Sequence, residues 1–257
     1  MRVSERKERT EKKMKVIVNG AGGHMGRVLM ESLEKKGYEL FAAVDKYDEK
    51  APYHSLEELP AGADVLIDFS HHSAAFEIAE FAKKSGVAVV VATTGHTEEE
   101  LEAIKEASAC APVFHSANMS LGVALLVELA KKTAAIFPDA DIEIVETHHN
   151  RKLDAPSGTA KMILEGILSV LPHKKGVFGR SGMAKREKEE IGVHAIRMGN
   201  VVGVHEVHVC TDNQCITLKH EAVSRALFAD GAISAAEYLV EQKPGFYGMK
   251  DLLSGKI

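Results

Sequence analysis

Residues Met14 to Asn19 (MKVIVN) form a short apolar run, rich in β-branched side chains, that breaks directly into Gly20-Ala21-Gly22-Gly23-His24-Met25-Gly26. A run of this kind reads as a buried strand entering a tight turn. The following stretch carries Met25, Val28, Leu29, Ser32 and Leu33 on one helical face and stops at Gly37. Tyr38 to Val44 is a second strand, closed by Asp45. The unit then repeats as strand Asp64–Phe69, helix Ser73–Lys84, strand Val87–Ala92, helix Glu98–Ser108 capped near Thr97, and strand Pro112–His115. Strands alternating with helices of this length predict a parallel sheet with helices on both faces, an α/β domain of Rossmann type. The strands are almost continuously apolar, as burial on both faces requires.

After Asn118 the pattern changes. Leu121 to Phe137 reads as one long apolar helix, Asp141 to Glu146 as a strand and Ser157 to Leu171 as a helix. Pro172 to about Glu190 reads as a long loop rich in Gly, Lys and Arg. Ile191–Arg197, Val201–Cys210 and Gln214–His220 alternate with period two and are joined by turn-like Met198-Gly199-Asn200 and Thr211-Asp212-Asn213. They predict an open antiparallel or mixed sheet. A final helix spans Ser224 to Val240, and Lys243-Pro244-Gly245 is a turn. The second half is therefore an α+β domain, and a sheet with one uncovered face predicts a homo-oligomer.

Composition narrows the function. The 257 residues are 45% hydrophobic and 27% charged, with a formal net charge of −5, so nothing draws the whole surface to nucleic acid. No apolar run reaches the roughly 20 residues that span a bilayer. Residues 1–13 are highly charged, mix both signs and lack the apolar segment of a signal peptide; they read as a tail before a fold beginning at Met14. Cys110, Cys210 and Cys215 make no C-x-x-C pair, which suits small buried residues in a reducing, cytoplasmic setting.

The glycine turn is G-x-x-G-x-x-G at Gly20, Gly23 and Gly26, with Gly22 extra. Between a strand and a helix, small residues let the backbone approach a pyrophosphate, and the helix offers its positive end. Gly20, Ala21, Gly22, Gly23, His24 and Met25 are thus candidate dinucleotide contacts. Asp45 is placed to bond ribose hydroxyls and favour NADH, while its neighbour Lys46 suits the 2′-phosphate of NADPH; use of both is expected. Two further turns at strand ends, Ala92-Thr93-Thr94 and Ser116-Ala117-Asn118-Met119, are positioned to line the same cofactor.

The segment Glu146-Thr147-His148-His149-Asn150-Arg151-Lys152-Leu153-Asp154-Ala155-Pro156-Ser157-Gly158-Thr159 leaves a strand, gathers His148, His149, Arg151 and Lys152, and enters a helix. Ser157 is a good N-cap, and Gly158 and Thr159 then lie at the positive helix end. That combination suits an anionic small molecule. Lys152, His149, Gly158 and Thr159 are candidate carboxylate contacts, Lys152 is a feasible proton donor, and His148 changes protonation near neutral pH. Asp154 would orient or neutralise the cluster. His-His pairs also bind metals, here at His71-His72 and His148-His149, but no further ligand completes such a site, so none is expected. His71 and His72 would line the cofactor cleft or cap a turn.

GAGGHMGR at Gly20–Arg27, ATTG at Ala92–Gly95, SANMSLGV at Ser116–Val123, ETHHNRKLDAPSGTA at Glu146–Ala160 and IGVHAIRMGNVVGVHEV at Ile191–Val207 closely resemble the dihydrodipicolinate reductase (4-hydroxy-tetrahydrodipicolinate reductase) family, from about Met14 to the C-terminus. The resemblance implies an NAD(P)H-dependent enzyme of diaminopimelate and lysine biosynthesis. Hydride would pass to C4 of a cyclic dicarboxylate imine, with a proton delivered to the neighbouring carbon. It implies that His148 is the acid/base residue, Lys152 the proton donor, and His149, Gly158 and Thr159 the substrate contacts. It further implies a nucleotide domain of residues 14–118 and 221–257, a substrate and oligomerisation domain of residues 119–220, and a homotetramer. His24 stands where the family often has Arg, Met119 where Phe is common, and His71-His72 where His-Pro is frequent. Two rivals remain: a dehydrogenase of a sugar or amino acid, and a non-catalytic redox sensor. The anion-binding segment disfavours an uncharged sugar, and a sensor has no use for a proton donor.

Overall fold

The computed structural model describes residues 13–254, so the charged stretch expected as a tail lies, apart from Lys13, outside the described residues. The described residues divide into two compact units, one running to Met119 and resuming at Phe228, the other Ser120–Leu227.

The first unit holds β1 (Lys15–Asn19), α1 (His24–Lys36), β2 (Glu39–Val44), β3 (Val65–Asp68), α2 (Ala75–Ser85), β4 (Ala88–Val91), α3 (Glu98–Ala107) and β5 (Pro112–His115). The order β11-β5-β4-β3-β1-β2, with β11 at Gly245–Tyr247, gives a six-stranded sheet in which every pair is parallel. Every residue of β3 and β4 is buried, the reason these strands read as unbroken apolar runs. Ile17, Leu66, Val89, Val91 and Val113 meet Ile78, Ala79, Ala82 and Ile104 of α2 and α3 in the core. Gly37 ends α1 in the left-handed conformation, and a capping box of Thr97 and Glu100 starts α3. Lys243-Pro244-Gly245 does turn the chain, but Gly245 already starts β11. Three residues are too few for a period to show.

The second unit holds α4 (Leu121–Ile136), β6 (Asp141–His148), α5 (Gly158–Val170), β7 (Lys175–Phe178), β8 (Glu190–Arg197), β9 (Gly203–Thr211) and β10 (Gln214–Ala222). Helix α6 (Ala226–Leu239) and α7 (Met249–Ser254) close the chain. The sheet order is β10-β9-β6-β8-β7. Helices α4 and α5 pack together over one face, where Leu126, Ala130, Ile163 and Ile167 bury Ile142, Ile144, Ile191, Val207 and Val209. Strands β9 and β10 form the expected antiparallel hairpin, but β8 runs parallel to β6. Met198-Gly199-Asn200 is consequently no hairpin turn. It joins strands on opposite sides of β6 and crosses the end of that strand, with Met198 N–H on His148 O (2.9 Å) and Asn150 N–H on Gly199 O (3.2 Å). Period-two alternation reports which face is buried, not the direction of the neighbour.

The expected loop of residues 172–190 contains β7, an edge strand parallel to β8 whose four residues carry no alternation. Arg186 pins the rest by ion pairs to Asp141 (2.8 Å) and Glu143 (3.2 Å). The cysteines differ from the expectation. Cys210 and Cys215 face each other across the β9–β10 hairpin and are disulfide-bonded, and Cys110 is exposed. The cross-strand register, invisible in their spacing, brings the pair together.

Candidate active site

In the first unit the glycine turn is shaped by contacts that only hydrogen fits. A Cβ on Gly26 would lie 2.1 Å from Gly20 O, and one on Gly20, whose φ is +82°, 2.6 Å from Phe69 O. Gly23 is the N-cap of α1 and provides no side-chain cap, nor does any acid occupy the first turn. The positive helix end is therefore left for an external anion. This cradle fits a dinucleotide pyrophosphate.

Two clefts flank the turn. One, of about 370 Å³, is lined by Gly20, Gly23, Asp45, Lys46 and Tyr47 among others. The other, of about 380 Å³, is lined by Met25, Ala92, Thr93, Thr94, Ala117, Asn118 and Met119, together with His71 and His72. Ala21 is buried beneath the turn and His24 is exposed. Ser116 buttresses the second cleft, since its hydroxyl donates to Asn118 O (2.8 Å) and accepts from Asn118 N–H (3.2 Å). Asp45 accepts from three backbone N–H groups, of Gly22 (3.0 Å), Tyr47 (2.9 Å) and Asp48 (3.0 Å), and so ties the turn to the loop after β2. The Lys46 ammonium lies 5.9 Å from the Tyr47 ring centroid. His71 also accepts from Ser73 N–H, and His72 pairs with Glu100 at 2.9 Å.

In the second unit the segment after β6 and the start of α5 form a polar network. Ser157 caps α5, its hydroxyl accepting from Ala160 N–H (3.1 Å). Gly158 opens the helix on the surface, with nothing within 4 Å of where a Cβ would sit, and Thr159 follows. The Ala155–Pro156 peptide is cis. Lys152 Nζ meets Asp154 Oδ1 at 2.8 Å, so the nearest charge to this lysine is a carboxylate rather than another cation, and the lysine holds the Asp154 carboxyl below its usual range. His149 is half-buried, and its Nδ1 has no partner among the described residues. Burial first, then Arg151 and Arg225, lower its proton affinity.

His148, at the end of β6, is nearly buried. Its Nδ1 lies 2.5 Å from Glu146 Oε2. Glu146 is wholly buried, is gripped by both terminal nitrogens of Arg197 at 2.8 Å, and accepts from Ser157 N–H at 3.0 Å. Burial alone would raise the Glu146 carboxyl; Arg197, His148 and the Ser157 amide outweigh it and hold the group below the ordinary range. His205 Nε2 lies 3.0 Å from Ser157 Oγ, and its ring stands edge-on to His148 with centroids 5.1 Å apart. Burial, with His148 beside it, pushes His205 down to about 4. Gly203 leaves room for His148, since a Cβ there would come within 3.0 Å of Nε2.

Glu146, Arg197 and His205 were not singled out by the sequence reading. Glu146 had a signal: it shares the buried alternation of β6 with Ile142, Ile144 and His148, and a carboxylate in such a position needs partners. Arg197 and His205 had none, since cross-strand register alone brings them to it. Among the described residues no His, Cys, Asp or Glu cluster is arranged for a metal ion, and no helix is long and apolar enough to cross a membrane.

Comparison with known proteins covers both units. Residues 14–119 match the family model described as dihydrodipicolinate reductase, N-terminus, and residues 122–253 match dihydrodipicolinate reductase, C-terminus. The chain is 46% identical over 246 residues to the 4-hydroxy-tetrahydrodipicolinate reductase of Caldanaerobacter subterraneus subsp. tengcongensis, covering 93% of this chain and 98% of that one. It is 44% identical to the enzyme of that name from Alkaliphilus oremlandii, covering 94% and 99%. Among solved structures it is similar to dipicolinate-bound dihydrodipicolinate reductase from Paenisporosarcina sp. TG-14, with a TM-score of 0.75, 26% identity and coverage of 93% and 99%.

Proposed function

The chain belongs to the dihydrodipicolinate reductase family, and from that premise we propose that it converts 4-hydroxy-tetrahydrodipicolinate, NADH or NADPH and a proton to tetrahydrodipicolinate, NAD+ or NADP+ and water, the 4-hydroxyl leaving as that water, in diaminopimelate and lysine biosynthesis. The reduced nicotinamide, when bound, supplies the hydride. The glycine turn and the two clefts beside it hold the dinucleotide, with Gly20–Met25 on the pyrophosphate, Asp45 and Lys46 at the adenosine ribose, and Ala92–Thr94 and Ser116–Met119 toward the nicotinamide. The residues of the second unit bind the dianion and manage the proton.

The observation that carries this reading is the constellation at the start of α5: a helix opening at an exposed Gly158, a lysine on a single surface carboxylate, and a histidine fixed by a buried one. Gly158, Thr159 and His149 engage the carboxylates of the substrate. Lys152 exchanges Asp154 for the incoming anion and donates the proton that accompanies reduction. Glu146 fixes the His148 ring with Nδ1 inward, so that Nε2 on the side of Gly203 is the nitrogen left to exchange protons. Arg197 keeps Glu146 anionic and therefore able to fix that ring.

The protein acts in the cytoplasm, where the NAD(P)H pool and the pathway's small anionic metabolites are found. It assembles as a homotetramer through the face of the mixed sheet opposite α4 and α5, where Val145 and Thr147 are only half-buried and Ile196 is exposed. Light scattering behind gel filtration measures that state directly; a monomer would remove the assembly from the proposal.

The activity is tested by mixing the protein with dihydrodipicolinate synthase and its substrates and following the absorbance of NADH and NADPH in separate reactions. Both are expected to be consumed. A protein that binds NADH but oxidises none under these conditions is a sensor, and the reductase reading fails.

A further inference from the structure

Asp68 is the last residue of β3 and has no solvent exposure. Its Oδ1 accepts from Asn19 Nδ2 at the end of β1 (2.9 Å), from Ser70 N–H (3.1 Å) and from the Ser70 hydroxyl (2.5 Å). Oδ2 and the Thr93 hydroxyl, which follows β4, are both sealed from solvent and near enough to interact. Neither has another partner among the described residues. One carboxyl thus gathers the carboxyl ends of three adjacent strands, the edge at which open α/β sheets bind ligands. Its partners form the walls of both clefts: Asn19 and Ser70 line one, Ser70 and Thr93 the other.

We propose that Asp68 is a positioning residue of the dinucleotide site, a buried acid that acts as a neutral hydrogen-bonding group and holds Asn19, Ser70 and Thr93 in register beneath the cofactor. The proposal rests on the cofactor reading above. Among the described residues no cation touches the carboxyl. The titratable group that interacts with it is His96 beyond β4, which in turn faces Glu100 of α3 and His72 after β3, and these two are paired to each other. Burial raises its proton affinity, against the weaker pull of Ser70, Thr93 and Asn19. The neutral acid also avoids setting an uncompensated buried charge under a pyrophosphate dianion. Protonated, it donates through Oδ2 to Thr93 Oγ1 and accepts through Oδ1, so every polar group in the cluster is satisfied.

Fluorescence titration with NADH, beside titration with pyridine-2,6-dicarboxylate as a probe of the second unit, tests the role. Native protein that fails to bind NADH defeats the cofactor reading itself. Given native binding, Asp68→Asn, which keeps a neutral donor and acceptor, is expected to bind NADH within about threefold of native. Asp68→Val is expected to bind NADH at least about tenfold more weakly, a loss of about 1.4 kcal/mol, with dicarboxylate affinity unchanged. Thr93→Val removes the partner of Oδ2 without touching the carboxyl, and is expected to weaken NADH in the same direction if Asp68→Val does not fold. NADH binding at native strength by folded Asp68→Val or by Thr93→Val overturns the positioning role. Equal losses in Asp68→Asn and Asp68→Val overturn the neutral-acid assignment.

Discussion

The two units build their candidate sites from opposite materials. In the first, the binding edge is backbone: a glycine turn, a bare helix end and strand tips, with side chains acting mainly as ties, as Asp45 and Ser116 do. In the second, the site is side chain on side chain, with Glu146 bonded at once to His148, Arg197 and the cap of α5. A backbone site holds a ligand that is the same in many enzymes and needs only space and N–H groups. A side-chain site can exchange protons, but each member depends on the others staying charged or neutral as required. The first should therefore fail by steric intrusion and the second by a change of charge.

Removing the proposed proton donor is the sharpest way to separate them. Lys152→Ala is expected to lower kcat by about 10²- to 10⁴-fold with NADH affinity unchanged, read by steady-state kinetics beside fluorescence titration. A parallel loss of NADH binding would mean that the two sites are not built independently. Next in size is Glu146→Gln, which leaves Arg197 without its anion. It is expected to cost about 3 kcal/mol of stability and about tenfold or more in kcat, with NADH affinity again unmoved; urea unfolding and kinetics measure the two.

Acid should tell on the network of the second unit through His205. In the folded protein this group takes its proton only near pH 4, whereas the unfolded chain takes it near 6.5. Between those values the unfolded state binds more protons, so stability is complete above about pH 6.5 and falls as pH drops toward 4, by about 3 kcal/mol. His205→Gln is expected to flatten that slope in denaturation curves taken at several pH values; an unchanged slope would assign it to other histidines whose proton affinity burial lowers, such as the half-buried His115. The smallest effect belongs to the backbone site. Gly26→Ala forces a Cβ against Gly20 O, and is expected to weaken NADH binding about tenfold, or about 1.4 kcal/mol, while leaving dicarboxylate binding intact.

The same contrast governs what could be read in advance. The glycine turn was legible because its constraint is local: strand, turn and helix are contiguous in sequence, and the steric demand at Gly20 and Gly26 is written in the absence of side chains. The segment from His148 to Thr159 was legible for a similar reason, since composition and the Ser157 cap lie in one stretch. Glu146 stood in plain view, two residues from His148, and was passed over because burial of a carboxylate is not a local property. The parallel placement of β8 and the short β11 were illegible because each depends on a partner strand far away in the chain; β7 was illegible because its four residues carry no alternation, and the Cys210–Cys215 bond because it depends on the register of the β9–β10 hairpin.

By itself, then, the order of residues determined the parallel sheet, the helix caps, the glycine turn and the cluster of cations at a helix start, all consequences of period, sterics and spacing between near neighbours. Only the tertiary structure decided which polar groups are buried together: Arg197 and His205 with Glu146 and Ser157, and Asn19, Ser70 and Thr93 around Asp68. The reason is that a buried charge or hydroxyl is governed by what surrounds it in three dimensions, and those surroundings are set by register between strands that the chain visits dozens of residues apart.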